Sequence, residues 1–157
     1  MLALDPGLQD TLVADIKQTI GDRTPTYEDY PNLVYPLCVQ FETLRMFPPV
    51  VTIPKLCPKE TLLNGKYLIP KNVTLVFDTV HTHRNPKYWD DIDSFNPSRF
   101  DGRNITEKPT RKEIDTGDTS PGGSYDKIKL PQKGAFCPFS EGSRSCLGMS
   151  MSFRVNL

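Results

Sequence analysis

The sequence predicts a mixed α/β fold, mainly helical, with small β-hairpins and much irregular structure. Three observations predict it. Apolar residues repeat at helical spacing near the N-terminus, an Asn-Gly pair divides two short apolar runs, and 15 of the 157 residues are proline. That is roughly twice the usual share of proline, which limits how much of the chain regular elements can claim.

The elements follow in order. Leu8, Leu12, Ile16 and Ile20, with Val13 beside them, recur at helical spacing, and Gly21 supplies a stop. One amphipathic helix of about three to four turns is expected. A proline-spaced connector, DRTPTYEDYPNL, leads to a second helix from about Pro36 to Met46. Pro36 suits a first helical position, Leu37, Phe41 and Leu44 lie close to one face, and Pro48 and Pro49 end the helix. TLLNGKYLIP predicts a hairpin with Asn64-Gly65 as a two-residue turn, and NVTLVFDTV is the next strand candidate. HTHRNPKYWDDIDSFNPSRF is rich in turn residues yet aromatic, so it is expected to pack on something despite lacking periodicity. From Asp101 to about Gln132 the chain is polar, with few large apolar residues, which predicts a surface insertion or disordered loop. The organisation is one partial domain over 1–157. Helices, hairpin and aromatic meander occupy 1–100, the polar insertion 101–132, and a cysteine-containing loop with the start of a following helix 133–157.

Bulk properties narrow the function. Lys+Arg and Asp+Glu balance at 19 each, so no basic surplus points to nucleic acid. No stretch approaches the ~18 consecutive apolar residues of a membrane span, and the N-terminus lacks a signal peptide's apolar core. No membrane segment is expected in this chain, and a cytoplasmic location is the default. Cys38, Cys57, Cys137 and Cys146 form no C-x-x-C pair, so a zinc ribbon is not expected and reduced thiols are.

The chemistry concentrates in FSEGSRSCLG, residues 139–148. A lone cysteine is ordinarily a small core residue, and Gly and Ser ordinarily make loops. The spacing F-x-x-G-x-R-x-C-x-G argues otherwise, since average residue usage makes it a chance event of about one in several tens of thousands for a chain this size. This spacing resembles the haem-thiolate loop of the cytochrome P-450 family. The resemblance implies that Cys146, as thiolate, is the axial ligand of the iron of haem b. It also implies that Gly142 and Gly148 let backbone approach the flat macrocycle, that Arg144 bonds a propionate, and that Phe139 shields the sulfur. The start of a helix after Cys146 would favour the thiolate.

Two further stretches carry the same resemblance. In ETLRMFPP, Glu42 and Arg45 are three apart on the second helix and can meet on one face. An isolated pair of that kind is usually solvated and contributes little. Followed by an aromatic and two prolines, it resembles the family's helix pair, and Arg99 in FNPSRF would complete a buried Glu–Arg–Arg network of structural role. HTHRNPKYW matches the family's H-R-[DN]-P-x-x-W stretch from His83 to Trp89. The competing assignment of His81 and His83 as metal ligands lacks an acidic or cysteine partner at short spacing. Two positions depart from the family: Ser98 stands where a glutamate is common, and Thr52 where a propionate-binding basic residue is often found. The lysines of KIKLPQK could face an acidic redox partner, although a solvated loop needs none.

The resemblance runs from about Ala3 to Gly148, and the style of KGAFCPFSEGSRSCLG is most similar to fungal members. It implies an incomplete P-450 fold, the C-terminal haem-binding portion of a monooxygenase that inserts one oxygen atom into a small apolar substrate. Electrons would come from an NADPH-dependent reductase, and a full-length parent would sit at the endoplasmic reticulum membrane. The oxygen-activating helix is not in this sequence, so no catalytic residue is assigned. The alternative is a truncated, non-catalytic product with at most weak haem binding. In either case the isolated chain is not expected to turn over substrate.

Overall fold

The computed structural model describes residues 1–103, 128–129 and 131–155. Most of the polar stretch expected to form an insertion therefore lies outside the described residues. The fold is mixed, with helices predominating over two small antiparallel sheets.

Helix α1 spans Pro6–Ile20 and starts where the sequence says it should. The Asp5 carboxylate accepts from the Leu8 N–H at 3.1 Å, and Pro6 occupies the first turn, where a missing N–H costs nothing. Gly21, at φ 71°, closes the other end by donating its N–H to the Lys17 carbonyl at 2.8 Å. After a 3₁₀ turn at Tyr27–Asn32, helix α2 spans Val34–Met46. It begins two residues earlier than the prolines suggest. Pro36 falls within the first four helical positions, none of which has an internal acceptor for its N–H, so the ring is tolerated there. No side chain of its own caps this start. Asp15 on α1 does so from across the interface, accepting the Tyr35 N–H at 3.1 Å, while Arg103 pairs with the same carboxylate.

Helix α2 departs from the amphipathic expectation. Ten of its thirteen residues are buried, Glu42 and Arg45 among them. A helix enclosed on nearly every side is a core element. Around it gather Trp89, Phe100, Ile128 and Phe153, with Phe136 and Phe139 partly buried against them. Ile128, inside the segment expected to be a polar insertion, is a core residue and bridges to Asp101.

The strands are β1 (Thr52–Leu56), β2 (Thr61–Leu63), β3 (Tyr67–Ile69) and β4 (Thr74–Asp78). β1 pairs antiparallel with β4, with Thr52 opposite Asp78 and Leu56 opposite Thr74. No strand was expected at β1, which contains Pro54. A proline is accepted in a two-stranded sheet, where every strand is an edge. β2 and β3 form the expected hairpin, but pairing resumes at Tyr67, so the connection has three residues instead of two. Asn64 and Gly65 both take positive φ and close a turn from Leu63 to Lys66, which leaves Lys66 outside the ladder. Helix α3 (Thr79–His83) follows β4 directly, and helix α4 (Met149–Val155) follows the cysteine loop. No helix among the described residues is long and apolar enough to cross a membrane.

Candidate cofactor site

Two arrangements matter: a buried charge network and the cysteine loop that follows it in the chain. Glu42 and Arg45 face each other one turn apart on α2, both side chains fully buried. The carboxylate is held twice by Arg45, Nε to Oε2 at 2.8 Å and a terminal nitrogen to Oε1 at 2.9 Å. Arg99, delivered by a 3₁₀ turn at Pro97–Phe100, donates Nε to Oε1 at 3.0 Å, and the Asn96 N–H adds a further donor at 2.9 Å. The remaining Arg45 donors reach the carbonyls of His83 (3.2 Å), Ile92 (2.9 Å) and Ser94 (3.0 Å), with the guanidinium 5.5 Å from the Trp89 ring centre. Five donors meet five acceptors, the condition under which a buried cation is tolerable. Arg99 in turn binds the carbonyls of Asp90, Asp91 and Ser94. The two arginines thus shape the whole meander through its backbone.

The loop is built differently. Ser140 and Gly142 take positive φ (64° and 80°), and a 3₁₀ turn at Gly142–Arg144 brings the chain back so that the Cys146 N–H donates to the Phe139 carbonyl at 2.9 Å. At Gly142 that backbone conformation already favours glycine. Gly148 differs: its φ is ordinary, and a Cβ built there would meet one group, the Cys146 Sγ at 3.8 Å. The Phe139 ring packs edge-on against Phe153 with centroids 5.1 Å apart. The Cys146 thiol is exposed, whereas burial pushes the Cys38 thiol up to about 12 and raises that of Cys137. Leu147 is 102% exposed, an unusual setting for a leucine. Arg144 is exposed and has no ion-pair partner among the described residues.

The link between network and loop is a residue the sequence did not single out for it. His83, the last residue of α3, is fully buried, and its Nε2 accepts the Cys137 N–H at 2.9 Å. An Nε2 that accepts leaves the proton on Nδ1, which is buried and has no hydrogen-bond partner in the structure. Fifty-four residues separate the two partners, so no local spacing could have joined them. His81 is exposed, and no group of three metal-ligating side chains occurs among the described residues.

Burial pushes the His83 imidazole down to about 4, against the lifting effect of the Leu44 and Arg45 carbonyls and with the Arg45 cation opposing a second charge. The unfolded chain takes up this proton near 6.5, so the folded state is fully stable above that pH and weakens as pH falls. By pH 4 this group alone is expected to have removed about 3 kcal/mol. Urea unfolding between pH 7 and 4, with His83→Gln as the non-titrating reference, measures it. Parallel curves for the two proteins would show that His83 carries no such penalty.

Comparison with known proteins now bears on these residues. A sequence model of the family described as Cytochrome P450 matches residues 1–153. Among curated proteins, the chain is 34% identical to cytochrome P450 monooxygenase 124 of the fungus Postia placenta, over 97% of this chain and 26% of the relative. It is 31% identical to cytochrome P450 4F1 of Rattus norvegicus, over 96% of this chain and 25% of that protein. Cyclooctatin synthase of Streptomyces melanosporofaciens is also 31% identical, with 94% and 27% covered. The chain thus spans about a quarter of the length of the curated relatives it matches. With nearly every residue from the first helix through the cysteine loop inside the match, this chain belongs to the cytochrome P450 family, for which the implied cofactor is haem iron.

Proposed function

We propose that this chain supplies the proximal side of a haem-thiolate monooxygenase and that Cys146 is the iron ligand. The observation that carries the proposal is the exposed Cys146 thiol within the F-x-x-G-x-R-x-C-x-G loop, beside a glycine at 148 that adds no side chain next to the sulfur. A flat cofactor needs such an open approach, and a soft thiolate suits haem iron. Haem, when bound, supplies the redox chemistry of dioxygen. The protein's part is to hold and to tune. Cys146 donates the sulfur, and the Phe139 carbonyl holds its backbone through the 2.9 Å bond from the Cys146 N–H. Exposed Arg144 is free to neutralise a propionate, and Leu147 offers an apolar edge that bound haem would cover. The Glu42–Arg45–Arg99 network is structural, fixing the meander on which the loop rests.

A small apolar substrate, a reductase drawing on NADPH, and an endoplasmic reticulum location for the whole enzyme belong to this proposal. The 157-residue chain alone is not expected to be competent, since it spans about a quarter of the length of its curated relatives. The test is the reduced carbon monoxide complex of the whole enzyme carrying this segment. Cys146→Ser is expected to abolish the red-shifted band that a thiolate ligand produces, and Cys137→Ser to keep it. A band that survives in Cys146→Ser removes Cys146 from the role.

A further inference from the structure

We propose that His83 is a positioning residue for the Cys146 loop, tying the loop's entry to the buried charge network through the Cys137 amide. The proposal rests on Cys146 as ligand only for its functional meaning. The positioning itself concerns this chain alone.

The connection is continuous. Arg45, paired with Glu42, donates to the His83 carbonyl at 3.2 Å. Across the same residue the ring Nε2 accepts from Cys137 at 2.9 Å. The Cys137 carbonyl then accepts the Ser140 N–H at 3.1 Å, and the Phe139 carbonyl accepts the Cys146 N–H at 2.9 Å. Each bond fixes the residue that makes the next. The imidazole is itself held, lying 4.9 Å from the Phe136 ring, which also packs on Phe41, Trp89 and Phe100. Trp89 makes a second tie at the same entry, donating Nε1 to the Ala135 carbonyl at 3.2 Å. That tie anchors a residue two positions earlier, before the turn that leads to the sulfur. His83 grips the last backbone group ahead of that turn. A side chain serving packing alone would not need an acceptor atom aimed at an amide, and an amide left bare in this setting would be costly.

Hydrogen exchange on the 157-residue chain without haem tests the proposal, read by mass spectrometry over peptides spanning 131–148. His83→Leu keeps comparable apolar volume and removes the acceptor, whereas His83→Gln places an oxygen near the position of Nε2. In His83→Leu the Cys137 and Cys146 amides are expected to exchange roughly tenfold faster, the scale of one lost hydrogen bond. Amides of α2 should keep their protection, and His83→Gln should restore the loop. Unchanged loop exchange in His83→Leu, or equal loss in both variants, overturns the proposal. Loss spread over α2 does so too, since it would make His83 a packing residue. Should His83→Leu not fold, the imidazole ¹⁵N shifts of the wild-type chain decide: a protonated Nδ1 with a bare Nε2 supports the bond, and the reverse tautomer overturns it. None of these readouts involves haem. The ligand assignment fails separately, through a thiolate band that persists in Cys146→Ser.

Discussion

Arg45→Ala is expected to cost roughly 3–5 kcal/mol and with it most of the fold. The loss has two parts. Glu42 is fully buried, and removal of Arg45 deletes both of the bonds that its carboxylate receives from that side chain. Arg99 and the Asn96 N–H remain, and both serve the single oxygen Oε1. The carbonyls of His83, Ile92 and Ser94 also lose a donor, though Ser94 keeps Arg99. Against a usual domain stability of about 5–15 kcal/mol, such a deficit leaves a large unfolded fraction. Arg45→Lys should recover little, because an ammonium has three donors and no planar fork to span a carboxylate and three carbonyls. Urea unfolding followed by circular dichroism measures both variants. An Arg45→Ala protein within about 1 kcal/mol of wild type would contradict the structural role.

Phe41→Ala should have a comparable effect, about 3–5 kcal/mol, by a different mechanism. The ring stacks on Phe153 at 4.8 Å between centroids and meets Phe100 and Phe136 at 5.5 and 5.6 Å. Its removal opens a cavity where α2, the meander and α4 converge. Neighbouring rings fixed by their own contacts cannot collapse fully into it. Phe77, exposed on β4, is the natural control, and Phe77→Ala should change stability by no more than about 0.5 kcal/mol. A Phe41→Ala penalty as small as the control's would mean that the aromatic cluster is loosely packed.

Local signals in the sequence were strong where one short segment carried both cause and effect. α1 is such a case: Asp5 and Pro6 open it, four apolar residues mark its face, and Gly21 ends it. The hairpin was visible from Asn64-Gly65, but its register was not, since the place of Lys66 depends on how pairing resumes beyond the turn. β1 was hidden by Pro54, whose veto on strands holds only where both edges must donate. The start of α2 was misjudged because its cap comes from Asp15, on another helix. The cysteine loop and the Glu42–Arg45 pair stood out through residue spacing and family resemblance. Their physical setting did not, because burial of a charged pair is decided by what packs over it. The His83–Cys137 bond was the least legible of all. Its donor is a backbone amide, which no residue type announces.

The reach of Arg45 has a consequence for the making of the protein. The carbonyls it collects lie 38, 47 and 49 residues downstream, at His83, Ile92 and Ser94. At a ribosomal pace of about 5–20 residues per second, α2 emerges roughly 2–10 s before its partners exist. During that interval the Glu42–Arg45 pair lacks the carbonyls that complete its buried setting. The network can therefore close only after Ser94 has been made, which puts burial of the charged pair after synthesis of the meander.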